Sequence, residues 1–105
     1  MKLIDLYRMA IREGMAADPR RGPELDRLLE QTSEAYAGLQ GSDKEAFDRD
    51  SLWNPYADSR IVYGDPDTEV RSIMWGIDIS TPELLLADRL REKGRRIDAV
   101  ISHHP

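Results

Sequence analysis

The chain has 105 residues, of which 40% are hydrophobic and 33% charged, so it is long enough for a core and its composition excludes disorder throughout. Its formal net charge of -5 argues against broad binding to nucleic acid or anionic membranes, and no apolar run approaches the ~20 residues that span a bilayer. Because cysteine is absent, disulfides and thiolate metal ligands are excluded, and we expect a cytoplasmic protein with no membrane or nucleic-acid partner.

The first part of the chain predicts two helices. Segment 2–17 places Leu3, Tyr7 and Ile11 on one helical face and ends before a proline at position 19. After a short basic turn, Pro23 opens a second helix whose apolar residues recur at helical spacing as far as position 39. We expect the two helices to pack as an antiparallel pair; a groove for a partner helix is the less favoured alternative.

Residues 48–58 break the helical pattern and predict a loop. Its Trp53, Asn54 and Tyr56 either line a pocket or belong to a connector whose rings cover the edge of a core, and the connector is favoured. Residues 60–63 then predict a short strand, followed by a Gly-Asp-Pro-Asp turn and a return strand at Val70. This pattern indicates a β-hairpin.

The last third of the chain predicts a strand, a helix and a second strand. The apolar run 73–79 is typical of a strand covered on both faces, and the run 97–101 predicts its neighbour. Between them Thr81 is the expected helix cap, with Pro82 at the first helical position and Gly94 after the end. A helical crossover of this length makes the two strands parallel, and the connection between them is expected to be right-handed.

Parallel strands end at the same edge of a sheet, where open α/β folds bind ligands. One end carries Asp78, and the other carries His103 and His104, the only histidines in the chain. If the strands are neighbours, roughly 4.8 Å apart, Asp78 reaches the histidines directly or through a water. A free helix start at Ser80 and Thr81 is an alternative anion site, although capping explains these residues equally well.

The adjacent histidines indicate either a metal site or surface residues at a frayed terminus. Neighbouring side chains on a strand point to opposite faces, so we expect His103 and His104 to hold one ion each rather than to share one. Two-metal hydrolytic sites hold their ions ~3.5 to 4 Å apart, a spacing that such a pair can bracket. A separate basic cluster is expected to compensate the helix dipole and remain solvated; it comprises Arg89, Arg91, Lys93, Arg95 and Arg96.

The stretch GIDISTPELLLADRLREKGRRIDAVISHHP resembles the signature of the Ngg-one-interacting factor three-like family, also called dinuclear metal centre or GTP cyclohydrolase type-one homologue proteins. In that family a strand ending in Asp, a small residue and Thr precedes a helix and a strand of the form Ile-x-His-His-Pro. The resemblance implies that His103 and His104 are the first two metal ligands and that Asp78 is an outer partner that supports them. The N-terminal part departs from the family pattern. The family usually opens with a single helix and a segment that contains Asp-Asn-x-Gly-Leu, whereas this chain has two helices and the segment NPYADSRIVYGD in roughly that place.

The resemblance also implies an α/β fold of which residues 1–58 form an N-terminal helical segment and loop, and residues 59–105 the start of a metal-binding domain. Two divalent ions are implied, with zinc, iron or manganese as candidates, completed by ligands beyond residue 105; we therefore expect the chain to be the N-terminal portion of a longer protein. The implied protein is a ring-shaped homo-oligomer, for example a hexamer, that hydrolyses a phosphorylated or nucleotide-like small molecule. No catalytic residue is assigned, and a non-enzymatic metal-binding or protein-interaction module is the alternative.

Overall fold

The structure is a computed structural model and describes residues 1–104. It contains four α-helices, one 3-10 turn and two strands within this range: α1 Leu3–Ala17, α2 Gly22–Ala37, α3 Gly41–Glu45, the 3-10 turn Arg49–Leu52, β1 Ile73–Asp78, α4 Thr81–Glu92 and β2 Ala99–His104. The two strands pair in parallel. The general α/β class predicted from the sequence is therefore confirmed.

The contacts divide the chain into two compact units. Unit 1 consists of Met1–Tyr7 together with the residues from Ile61 onward, and unit 2 consists of Arg8–Arg60. The division after residue 60 falls close to the predicted boundary between residues 58 and 59. The association of the first seven residues with the later part of the chain was not predicted.

Unit 2 is helical, and α2 is its most regular element. Pro23 lies in the first turn of α2, where its missing N–H removes no helical hydrogen bond, and Gly38 ends the helix. Leu25 is buried. α2 contacts the 3-10 turn more extensively than it contacts α1, and the antiparallel pairing of the two helices stays a prediction. A periodic apolar pattern identifies the buried face of a helix but not the element that covers it.

Unit 1 is organised by the β1–α4–β2 segment. The register pairs Ile73 with Ala99 at one end of the strands and Asp78 with His104 at the other. Ser80, rather than the predicted Thr81, is the N-cap of α4, which makes Thr81 the first helical residue. Gly94 follows the helix with a φ of 89°, a conformation that glycine adopts without steric cost.

The predicted β-hairpin is not formed. Residues 60–63 belong to no strand, and Val62 and Tyr63 are 92% and 95% exposed. The turn that follows is present, with the Thr68 N–H donating to the Asp65 carbonyl at 3.0 Å. The segment after the turn pairs with the N-terminus instead, through an antiparallel bridge between Lys2 and Glu69. Residues 60–63 have no buried face that would fix their register in a hairpin. The segment around Glu69 therefore pairs with the N-terminus instead.

The two-stranded sheet is not covered on both faces, which corrects a second expectation. Ile73, Trp75 and Ile77 alternate along β1 and are 42%, 67% and 63% exposed. Three consecutive leucines of α4 are also half or more exposed: Leu84, Leu85 and Leu86. The apolar run 73–79 therefore correctly predicts a strand, but it does not indicate that both faces of the strand are buried.

Candidate functional site

The candidate site lies where β1 and β2 end together. The parallel register places Asp78, the last residue of β1, opposite His104, the last residue of β2. The Asp78 Oδ1 atom lies 2.9 Å from the Nδ1 atom of His104. The structure thus brings the predicted carboxylate and one predicted histidine into direct contact, without an intervening water.

The two imidazole rings lie close together rather than diverging. Their centroids are 4.9 Å apart, and the ring planes are inclined by 41°. Full alternation on a strand would separate His103 and His104 across the sheet, so the expectation that they diverge was wrong. Both histidines are exposed, so surrounding groups leave their side-chain rotamers free to converge.

Ser102 lies at the same strand end. Its hydroxyl contacts the carbonyl oxygens of Ile77, at 3.4 Å, and of His104. The hydroxyl can donate only one hydrogen, so it serves one of these carbonyls at a time. Ser102 therefore links the two strands next to the histidines.

The side chains that form this site are open to solvent. The side chain of His104 is 58% exposed and that of Asp78 is 79% exposed. A shallow cleft in the same unit lies elsewhere, between Arg91 and Asp98. The strand end is therefore an accessible surface rather than a closed pocket.

The donor set fits part of a metal site. Imidazole is a common ligand of zinc, iron and related ions, and a carboxylate bonded to the second ring nitrogen commonly orients such a ligand. With its Nδ1 atom engaged by Asp78, His104 has Nε2 available to a metal. Within residues 1–104, however, no group of three or more candidate ligands converges closely enough to hold an ion. Catalytic ions generally need about three protein ligands, so this set is incomplete by itself.

The start of α4 is not a favourable anion site. The Glu83 carboxylate accepts hydrogen bonds from the Ser80 amide at 2.9 Å and from the Ser80 hydroxyl at 2.7 Å. The hydroxyl bond and the amide bond hold the pKa of Glu83 below its ordinary value. A negative charge already occupies this end of the helix, so the capping interpretation accounts for these residues.

Asp98 organises the opposite end of the two strands and was missed by the sequence reasoning. Its Oδ2 atom accepts from the Arg96 guanidinium at 2.8 Å and from the amides of Arg71 and Ser72 at 2.9 and 3.1 Å. Arg96, followed by the Arg71 amide, lowers the pKa of Asp98 to about 2. No motif marks this aspartate, because its two backbone partners, Arg71 and Ser72, lie 27 and 26 residues away in the chain.

The basic cluster is partly paired within α4 and the turn that follows. Arg89 lies 3.5 Å from Glu92 on the exposed helix surface, and Arg96 is bonded to Asp98. An exposed ion pair such as Arg89–Glu92 contributes little to stability. The cluster fits the expectation of solvated cations near a helix end.

The loop that carries the aromatic residues is an ordered connector within unit 2. The Arg8 guanidinium lies 5.5 Å from the centre of the Trp53 ring, and Asn54 is 1% exposed. The Tyr56 hydroxyl donates to Asp18 at 2.8 Å, while Arg20 is the main cause that holds the pKa of Asp18 well below its usual range. These contacts explain the loop residues without a ligand.

In residues 1–104, no helix has both the length and the apolar character needed to cross a membrane. Comparisons of the chain with protein-family models, with curated proteins and with solved structures found no match.

Proposed function

We propose that the chain carries the histidine pair of a dinuclear divalent-metal site in a protein of the Ngg-one-interacting factor three-like family. The family fold, with a right-handed β1–α4–β2 crossover and a homo-oligomeric ring, is part of this proposal. The observation that supports it most directly is the contact of 2.9 Å between Asp78 and His104 at the shared strand end. His103 and His104 would hold the ions, and Asp78 would orient His104 without binding a metal.

The ligand set needs further members from outside the described residues, because the imidazoles alone are too few for a catalytic ion. Zinc, iron and manganese are the candidate ions. The proposed reaction is hydrolysis of a phosphorylated or nucleotide-like small molecule. Divalent ions supply Lewis acidity toward a phosphoryl oxygen and lower the pKa of water, while the exposed strand end leaves room for a substrate.

The first experiment measures metal content and turnover together. The protein is purified, dialysed against Zn²⁺, Mn²⁺ or Fe²⁺ and analysed for bound metal, and the same samples are screened with phosphate monoesters and nucleotides. We expect bound metal and metal-dependent hydrolysis, both abolished by His103→Ala and by His104→Ala. Asp88→Ala removes an exposed carboxylate from α4 and is the matched control. Hydrolysis that survives both histidine substitutions would rule out the proposal.

A non-enzymatic metal-binding module is the second candidate. It also needs a completed ligand set, because a structural ion is generally held by about four protein ligands, and it differs from the hydrolase in leaving no coordination position open for a substrate. Metal that is retained tightly by the wild-type protein, lost on substitution of either histidine and accompanied by no turnover would select this candidate over the hydrolase.

A further inference from the structure

The contact between Asp78 and His104 makes the two imidazoles chemically different. An ionised carboxylate only accepts hydrogen bonds, whereas a neutral imidazole carries one N–H and one lone pair. With Asp78 Oδ1 at 2.9 Å from Nδ1, the proton of His104 belongs on Nδ1. The free lone pair of the ring is then on Nε2.

His103 has no such constraint. Within residues 1–104 its ring contacts the ring of His104 and forms no hydrogen bond. The distinction follows from the register, because Asp78 is paired with His104 and His103 is displaced by one residue along the strand. A shift of one residue in the pairing would exchange the roles of the two histidines.

We propose that Asp78 is a positioning residue that holds His104 in the Nδ1–H tautomer and so selects Nε2 as its metal-binding atom, while His103 populates both tautomers. The tautomer is a property of the metal-free chain, and only its consequence for metal affinity rests on the proposed function. Loss of a carboxylate partner of this kind typically weakens metal binding roughly 10- to 100-fold.

The tautomers are measured by long-range ¹H–¹⁵N NMR of the metal-free protein labelled at histidine, at mildly alkaline pH, where free imidazole is neutral. The chain has two histidines, so the His103→Ala spectrum assigns both rings. We expect His104 to show a protonated Nδ1 and an unprotonated Nε2, and His103 to show averaged signals from both forms. A protonated Nε2 on His104 would overturn the proposal.

Two substitutions separate the carboxylate contact from a general effect of charge. Asp78→Ala should give His104 averaged signals like those of His103, whereas Asp88→Ala, which removes an exposed carboxylate of α4, should leave the spectrum unchanged. Because the Asp78 side chain is 79% exposed, its removal is expected to leave the fold intact, as circular dichroism will show. An unchanged His104 spectrum in folded Asp78→Ala would contradict the proposal.

Titration with Zn²⁺ separates this inference from the proposed function. If wild type binds Zn²⁺, Asp78→Ala should raise the Kd roughly 10- to 100-fold, and Asp88→Ala should not. Equal Kd values for wild type and Asp78→Ala would refute positioning by Asp78 while leaving the metal site in place. If no variant binds Zn²⁺ but the tautomers are as expected, the metal site fails and the tautomer assignment stands.

Discussion

Asn54 is the buried polar residue on which the conformation of the loop in unit 2 depends. Its side chain is 1% exposed, its Nδ2 donates to the Ser59 carbonyl at 2.8 Å, and its Oδ1 accepts from the Tyr56 amide at 2.8 Å. One amide side chain thus satisfies two backbone groups of the loop. Asn54→Ala removes both bonds at once and leaves nothing of similar shape in their place.

The cost follows from the hydrogen bonds that the two backbone groups lose. A buried group left without a hydrogen bond costs about 1–3 kcal/mol. The Ser59 carbonyl also accepts from the Arg60 guanidinium at 2.8 Å and keeps that bond, so most of the cost comes from the amide of Tyr56, which is partly buried. We expect a loss of about 1–3 kcal/mol in the free energy of unfolding. For a chain of this size that lowers the Tm by roughly 5–25 °C.

The measurement is urea unfolding followed by circular dichroism and tryptophan fluorescence, with Trp53 adjacent to the substituted residue. The urea midpoint should fall while the slope of free energy against urea stays constant, because the surface exposed on unfolding is unchanged. Asp58→Ala is the matched control: it lies in the same loop, is exposed, and should change the free energy by less than about 0.5 kcal/mol. A loss below about 0.5 kcal/mol for Asn54→Ala would refute the reasoning.

Three further predictions concern other parts of the molecule. The carboxyl of Asp98 has a pKa of about 2 in the folded protein against an ordinary value of 3.8, so its stabilising effect is complete above pH 3.8 and lost as the pH falls toward 2. The urea midpoint of wild type should decline across that interval more steeply than that of Asp98→Asn. Trp75→Ser should change the free energy of unfolding by less than about 0.5 kcal/mol, because the residue is 67% exposed; a large loss would mean that Trp75 is buried in solution. Burial, and secondarily the bond to Asp18, raise the pKa of Tyr56 above 10.0, so ultraviolet titration should show a late-ionising tyrosine that is missing from Tyr56→Phe.

Local signals in the sequence were sufficient for most helices and for the strand pair. Pro23 and the apolar period after it predicted α2, and the threonine, proline and glycine around α4 predicted a helix between two strands. The length of that crossover predicted parallel pairing, which the register confirms. The hairpin at residues 60–63 failed because its pairing depended on a competitor, the N-terminus, that lies far away in the sequence.

The proximity of Asp78 to the histidines followed from topology, since parallel strands end at one edge. Which histidine Asp78 contacts depends on the register, and the register was not visible in the chain alone. The structural role of Asn54 was equally hidden, because the sequence offered Asn54 both as a pocket residue and as part of a connector. Its partners are backbone groups, which carry no signature of their own.

The amino-acid order by itself determined the approximate extent of α1, α2 and α4, the presence of β1 and β2, and that one carboxylate and two imidazoles emerge at a common edge, because caps, prolines and periodicity act over a few residues. Only the tertiary structure decided that Asp78 contacts His104, that the two imidazole rings converge, and that one face of β1 remains exposed. Those features depend on the strand register and on packing between segments that are distant in the chain. A shift of one residue in the pairing of β1 with β2 would change every cross-strand pair.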